Sequence, residues 1–167
     1  LELGFDANKL ACPYGPADGK EGLLGNEELV ADRRELLGEE RELMLDCWMA
    51  FDEEYTVRLA NRLDAFDLKW MEETLDPEKL DAHAAVRDRL PSQTLATGEH
   101  WYTAKPFQYA ASHDLVDIFQ PDIHWVGGLT TVRKICDIAE ARGKSVILHC
   151  GGGTPYGQHA SYGLPGI

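Results

Sequence analysis

Five short apolar runs punctuate the chain, at residues 43–46, 68–72, 94–99, 116–122 and 145–149, and a weaker sixth covers residues 1–5. Their brevity and polar boundaries suit buried strands. Between them apolar residues recur at helical spacing. Leu29, Leu36 and Leu37 mark one helix; Tyr55, Leu59, Leu63 and Phe66 a second; Leu80, Ala84 and Val86 a third; Leu129, Val132, Ile135, Ile138 and Ala139 a fourth. Near-continuous apolar strands alternating with amphipathic helices predict an α/β protein, in which right-handed crossovers bury a parallel sheet on both faces.

The strand ends carry the informative residues. The runs finish on Asp46, Glu72, Glu99, Asp122 and His149, at successive intervals of 26, 27, 23 and 27 residues, so one polar residue recurs per strand–helix unit. In a parallel barrel every strand C-terminus lies on one rim, and such residues converge on a common pocket. An open doubly wound sheet feeds its site from fewer strands, and no GxGxxG follows an early strand here. The periodicity therefore predicts a TIM-like barrel.

Composition narrows the partner. The 167 residues, 44% of them hydrophobic, are enough for one domain with a real core. A net charge of −13 without a basic cluster argues against nucleic acid and anionic membrane surfaces, and leaves a small molecule as the expected ligand. No apolar run reaches the length of a membrane span, and the N-terminus has no secretory pattern. Cys12, Cys47, Cys136 and Cys150 are far apart and lack CxxC spacing, so they are expected to be reduced thiols of a cytoplasmic protein.

Three carboxylates gathered at one rim repel one another unless a cation lies between them, and all-oxygen ligation suits Mg2+, with Mn2+ as the alternative. Which of Glu72 and Glu73 faces inward is nearly even on strand alternation alone. His149 is a candidate general base, because its unperturbed pKa lies near physiological pH, and Asp122 on the preceding strand is placed to fix its tautomer. An Asp–His pair facing a metal suits removal of a proton α to a carboxylate. A hydroxyl on the β carbon would then leave as water.

The segments LMLDCWM (43–49), LKWMEE (68–73), TGEH (97–100), QPDIHWVGGLT (120–130) and CPYGPADGKEG (12–22) resemble the mandelate racemase subgroup of the enolase superfamily. Within it they are most similar to dehydratases of the L-rhamnonate type. The resemblance spans nearly the whole chain, and LDCWM followed by KWMEE and TGEH is far more specific than the acids alone. It implies a partial (β/α)7β barrel holding about strands two to seven, with residues 1–167 forming a single, incomplete C-terminal catalytic domain that lacks the capping domain.

Carried residue by residue, the resemblance implies magnesium ligands at Asp46, Glu72 and Glu99, choosing Glu72 over Glu73, and a dyad of His149 and Asp122. It implies substrate contacts at His100 and at Lys9, the latter in the segment after the second barrel strand. Trp48 and Trp125 are expected to wall the pocket or pack against its loops. The sequence departs from the family after His149, where Gly151–Gly153 offer either backbone N–H groups for a carboxylate or a flexible turn. The implied activity is dehydration of an aldonic acid, L-rhamnonate first, in a protein that is homo-oligomeric when full length. A galactonate or gluconate substrate, a racemisation, and a truncated inactive remnant are the alternatives.

Overall fold

A computed structural model describes residues 4–150 and 153–167. They fall into two compact units, which divide between Thr94 and Leu95. The first unit contains β1 (Ala7–Ala11), α1 (Gly19–Leu37), β2 (Glu42–Asp46), α2 (Glu53–Leu63), β3 (Trp70–Glu72) and α3 (Leu80–Arg89). The second contains β4 (Leu95–Thr97), α4 (Lys105–Ser112), β5 (Ile118–Phe119), α5 (Leu129–Glu140), β6 (Ser145–Val146) and α6 (Pro155–Gly163).

In the first unit β1 pairs with β2 and β2 with β3, both in parallel, and in the second β4, β5 and β6 pair in parallel in the same chain-order fashion. The predicted strand–helix alternation is therefore present in each unit. Leu43, Met44 and Leu45 of β2 are all buried, as a strand covered on both faces requires. Leu23, Asn26, Val30 and Leu37 form the buried stripe of α1, and Val132, Ile135, Cys136 and Ala139 that of α5, both at the three-to-four-residue spacing of a helix laid on a sheet.

Local chemistry sets several boundaries. The Asp52 carboxylate caps α2 by accepting the Tyr55 N–H at 2.8 Å, and Gly38 ends α1 with a φ of 76° that favours glycine. In the second unit the Phe107 ring meets Trp101 and Phe119 edge-on, with centroids 5.2 and 5.4 Å away. This aromatic cluster pins α4 against β5.

Three expectations are corrected. The first described strand is Ala7–Ala11 rather than 1–5; residues 1–3 of that run lie outside the described residues, and Gly4 and Phe5 are not in a strand. The pattern misled because β1 carries Asn8 and Lys9, and only Leu10 among its residues is buried. Lys9 is accordingly on a strand, not in the segment after one. Finally, α4 and α6 were not foreseen. The buried residues of α4, Phe107, Ala110 and Ala111, complete a single i, i+3, i+4 set within eight residues, too short for the period to repeat.

Candidate functional site

The first unit assembles Lys9, Asp46 and Glu72. Parallel register sets Ala11 beside Asp46 and Asp46 beside Glu72, so the two acids end adjacent strands at the same level. Lys9 lies two residues before Ala11 and thus on the same face. Its Nζ reaches Asp46 Oδ2 at 3.0 Å and also pairs with Glu72 Oε1. Burial lowers the Lys9 pKa, but the hydrogen bonds and charges of Glu72 and Asp46 outweigh that effect and leave it raised.

Glu72 is only 1% exposed, and its second oxygen accepts the Trp70 indole N–H at 2.8 Å. Trp70 stands two positions earlier on β3, the i, i+2 relation that puts side chains on one face. Sequence reasoning missed this donor, although the spacing was readable. Asp46 Oδ1 accepts the Trp48 N–H at 3.2 Å. Trp48 and Met49 both adopt left-handed φ values, 45° and 62°, in a tight turn that leaves Trp48 67% exposed. Trp48 therefore does not pack against the acids.

The second unit assembles Glu99, His100, Asp122 and His149. These residues lie just beyond the paired segments of β4, β5 and β6, and an isolated parallel bridge between Asp122 and His149 extends the sheet register to the dyad. His149 Nδ1 is 2.8 Å from Asp122 Oδ2, while Asp122 Oδ1 accepts the N–H groups of His124 at 2.7 Å and Trp125 at 3.2 Å. A buried carboxylate with these partners remains an acceptor and orients the imidazole. His149 Nε2 thereby faces Glu99 Oε2 at 3.5 Å, and Glu99 Oε1 lies 3.5 Å from His100 Nδ1.

The Trp125 ring is tilted against both imidazoles, with centroids 5.6 Å from His100 and 5.7 Å from His149. Cys150, which sequence reasoning did not select, places Sγ 3.5 Å from His149 Nε2. Gly151 and Gly152 lie outside the described residues.

Chemically, the first unit offers two carboxylates already bridged by a cationic ammonium, and the second offers a buried carboxylate beside an oriented base. Oxygen donors that draw a cation between them match a hard divalent ion such as magnesium. The dyad matches abstraction of a carbon-bound proton.

Residues 2–165 match the family model described as "Enolase C-terminal domain-like". An L-rhamnonate dehydratase from Saccharopolyspora erythraea is 43% identical over 159 residues, which cover 95% of this chain and 40% of that protein. The crystal structure of rhamnonate dehydratase from Gibberella zeae complexed with Mg superposes with a TM-score of 0.94 at 33% identity, covering 99% of this chain and 40% of that one. A racemase from Streptomyces coelicolor A3(2) with bound magnesium gives a TM-score of 0.86 at 30% identity, covering 98% and 43% of the two chains. The chain thus spans about two fifths of the length of these relatives.

Proposed function

Because the chain belongs to the enolase C-terminal domain-like family and carries part of its parallel α/β barrel, we propose that it is the catalytic segment of a magnesium-dependent acid-sugar dehydratase. The substrate is L-rhamnonate, and the products are 2-keto-3-deoxy-L-rhamnonate and water. The Asp122–His149 hydrogen bond beside Glu99 carries this reading, in a chain 43% identical to an L-rhamnonate dehydratase.

His149 removes the proton from C2 through Nε2, the ring nitrogen that Asp122 does not engage. Asp122 holds Nδ1–H and so keeps Nε2 an acceptor. Protonated His149 then returns a proton to the departing 3-hydroxyl, so that loss of water balances the abstraction. Trp125 covers His149 and His100 and limits access of bulk water to the imidazoles. His100 and Lys9 contact the acid sugar.

Asp46, Glu72 and Glu99 are the proposed magnesium ligands, a set that the family resemblance implies and that their oxygen donors suit. Magnesium, when bound, supplies positive charge that acidifies the proton α to the substrate carboxylate.

A panel of aldonic acids, assayed for 2-keto acid release with and without magnesium, tests the reading. L-rhamnonate is expected to be the best substrate, and turnover that persists after chelation would overturn the metal assignment. The 30% identical racemase supports a second reading, in which the α proton exchanges and no water is lost. Deuterium incorporation at C2 without keto acid would favour it.

A further inference from the structure

Cys12 and Cys47 take no part in the chemistry above, yet they follow directly on the paired ends of β1 and β2. The final register pair of these strands is Ala11 with Asp46, and the Cys12 N–H continues the ladder by donating to the Asp46 carbonyl at 2.8 Å. Cys12 and Cys47 are therefore the next pair across the sheet. Parallel neighbours stand about 4.8 Å apart, inside the about 4.4–6.8 Å range of Cα separations that a disulfide spans.

Their side chains share a face. Lys9 meets Asp46 and Glu72 on one side of the sheet, so Cys12, three residues on from Lys9, and Cys47, one residue past Asp46, alternate to the other. There burial, and after it the neighbouring Cys12 thiol, push the Cys47 thiol pKa up. Both also lie near the Tyr55 hydroxyl of α2, whose pKa burial and these neighbours push up to about 12. Cys47 is 1% exposed and Cys12 is half-buried, and neither is in a disulfide.

We infer that Cys12 and Cys47 form an oxidant-sensitive dithiol, a modification site at which hydrogen peroxide closes a disulfide one residue beyond Asp46. The half-buried Cys12 sulfur attacks the peroxide O–O bond, giving Cys12 sulfenic acid and one water. The Cys47 sulfur then attacks the Cys12 sulfur; an S–S bond forms, the S–O bond breaks, and the hydroxyl leaves with the thiol proton as a second water. Two thiols are oxidised and one peroxide is reduced. The covalent link joins the segments that follow β1 and β2, and so restrains the backbone that carries Asp46.

The experiment uses the full chain with Cys150→Ser, which removes the one exposed thiol and leaves Cys12, Cys47 and Cys136. Brief treatment of the folded protein with hydrogen peroxide is followed by alkylation and peptide mapping without reductant. Two of the three thiols are expected to disappear together, with a cross-linked peptide pair carrying Cys12 and Cys47 that dithiothreitol separates. The same mapping on the unsubstituted chain is expected to give the same pair, so the result does not depend on how the variant folds. Cys12→Ser is expected to abolish the cross-link and leave Cys47 alkylatable only after denaturation. Sulfinic acid on Cys12 with Cys47 still reduced, or a disulfide joining a different pair, overturns the inference. Since the readout is thiol count and mass, it is independent of the proposed dehydratase activity.

Discussion

Asp122 grips His149 from one side only: Oδ2 lies 2.8 Å from His149 Nδ1, while Oδ1 is occupied by the backbone N–H groups of His124 and Trp125. The carboxylate is thereby oriented by its own following turn before it orients the ring. For the proposed reaction, His149→Asn is expected to lower turnover by about 10²–10⁴-fold and to abolish exchange of the C2 proton with deuterated solvent. Asp122→Asn is expected to reduce kcat by a smaller factor with little change in KM. Exchange at the unsubstituted rate in His149→Asn would remove His149 from the mechanism.

Lys9→Met tests the ammonium between Asp46 and Glu72. Without metal, the deeply buried Glu72 loses its cationic partner, and a destabilisation of about 1–3 kcal/mol is expected. Magnesium is expected to restore more stability to this variant than to the parent, since it replaces the missing charge. Thermal melts in chelator and in magnesium measure both terms. Equal magnesium-dependent gains in Tm for the two proteins would show that Lys9 and the metal do not share these carboxylates.

Gly98 precedes Glu99 with a φ of 131°, and a Cβ there would stand 2.7 Å from Phe107 Cε1 and 3.2 Å from the Gln120 nitrogen. Gly98→Ala therefore combines a conformation that L residues rarely adopt with a clash against the aromatic cluster. A loss of about 1–3 kcal/mol is expected in denaturant titration. An unchanged unfolding midpoint would mean that the loop before Glu99 relaxes without cost.

Stability is also expected to fall in mild acid through His83. Burial lowers its pKa below the ordinary 6.5, against the opposing hydrogen bond that the ring donates to the Asp76 backbone carbonyl and the charges of Glu73 and Asp76. The unfolded chain binds the extra proton first, so the contribution is full above the ordinary value and is lost as pH drops from there toward the folded pKa. The slope cannot exceed about 1.4 kcal/mol per pH unit for one proton. His83→Gln is expected to flatten that limb of a Tm-against-pH curve, and an unchanged limb would assign it to other groups.

Much of this was readable from the chain alone, for physical reasons. Asp46 and Glu72 do end β2 and β3, because a strand buried on both faces stays apolar until it reaches the rim. Glu99, Asp122 and His149 are placed at strand ends too, but the regular ladders stop two or three residues earlier, and the isolated Asp122–His149 bridge keeps register there. The β1 strand is misplaced by the pattern because the residue it turns toward Asp46 and Glu72 is a lysine, which apolar patterning cannot recognise. Cys12 beside Cys47 was invisible for a different reason, since cross-strand register is a tertiary fact with no local signature.

Lys9 also bears on the order in which the molecule matures. Two acids on neighbouring strands would drive β2 and β3 apart during folding if they met unscreened, yet the chain brings its own counter-charge on β1. Strand assembly in this unit consequently has no need to wait for an inorganic ion, and metal supply is separated from biosynthesis. The strands of this unit can therefore carry both acids in register before any divalent ion is present.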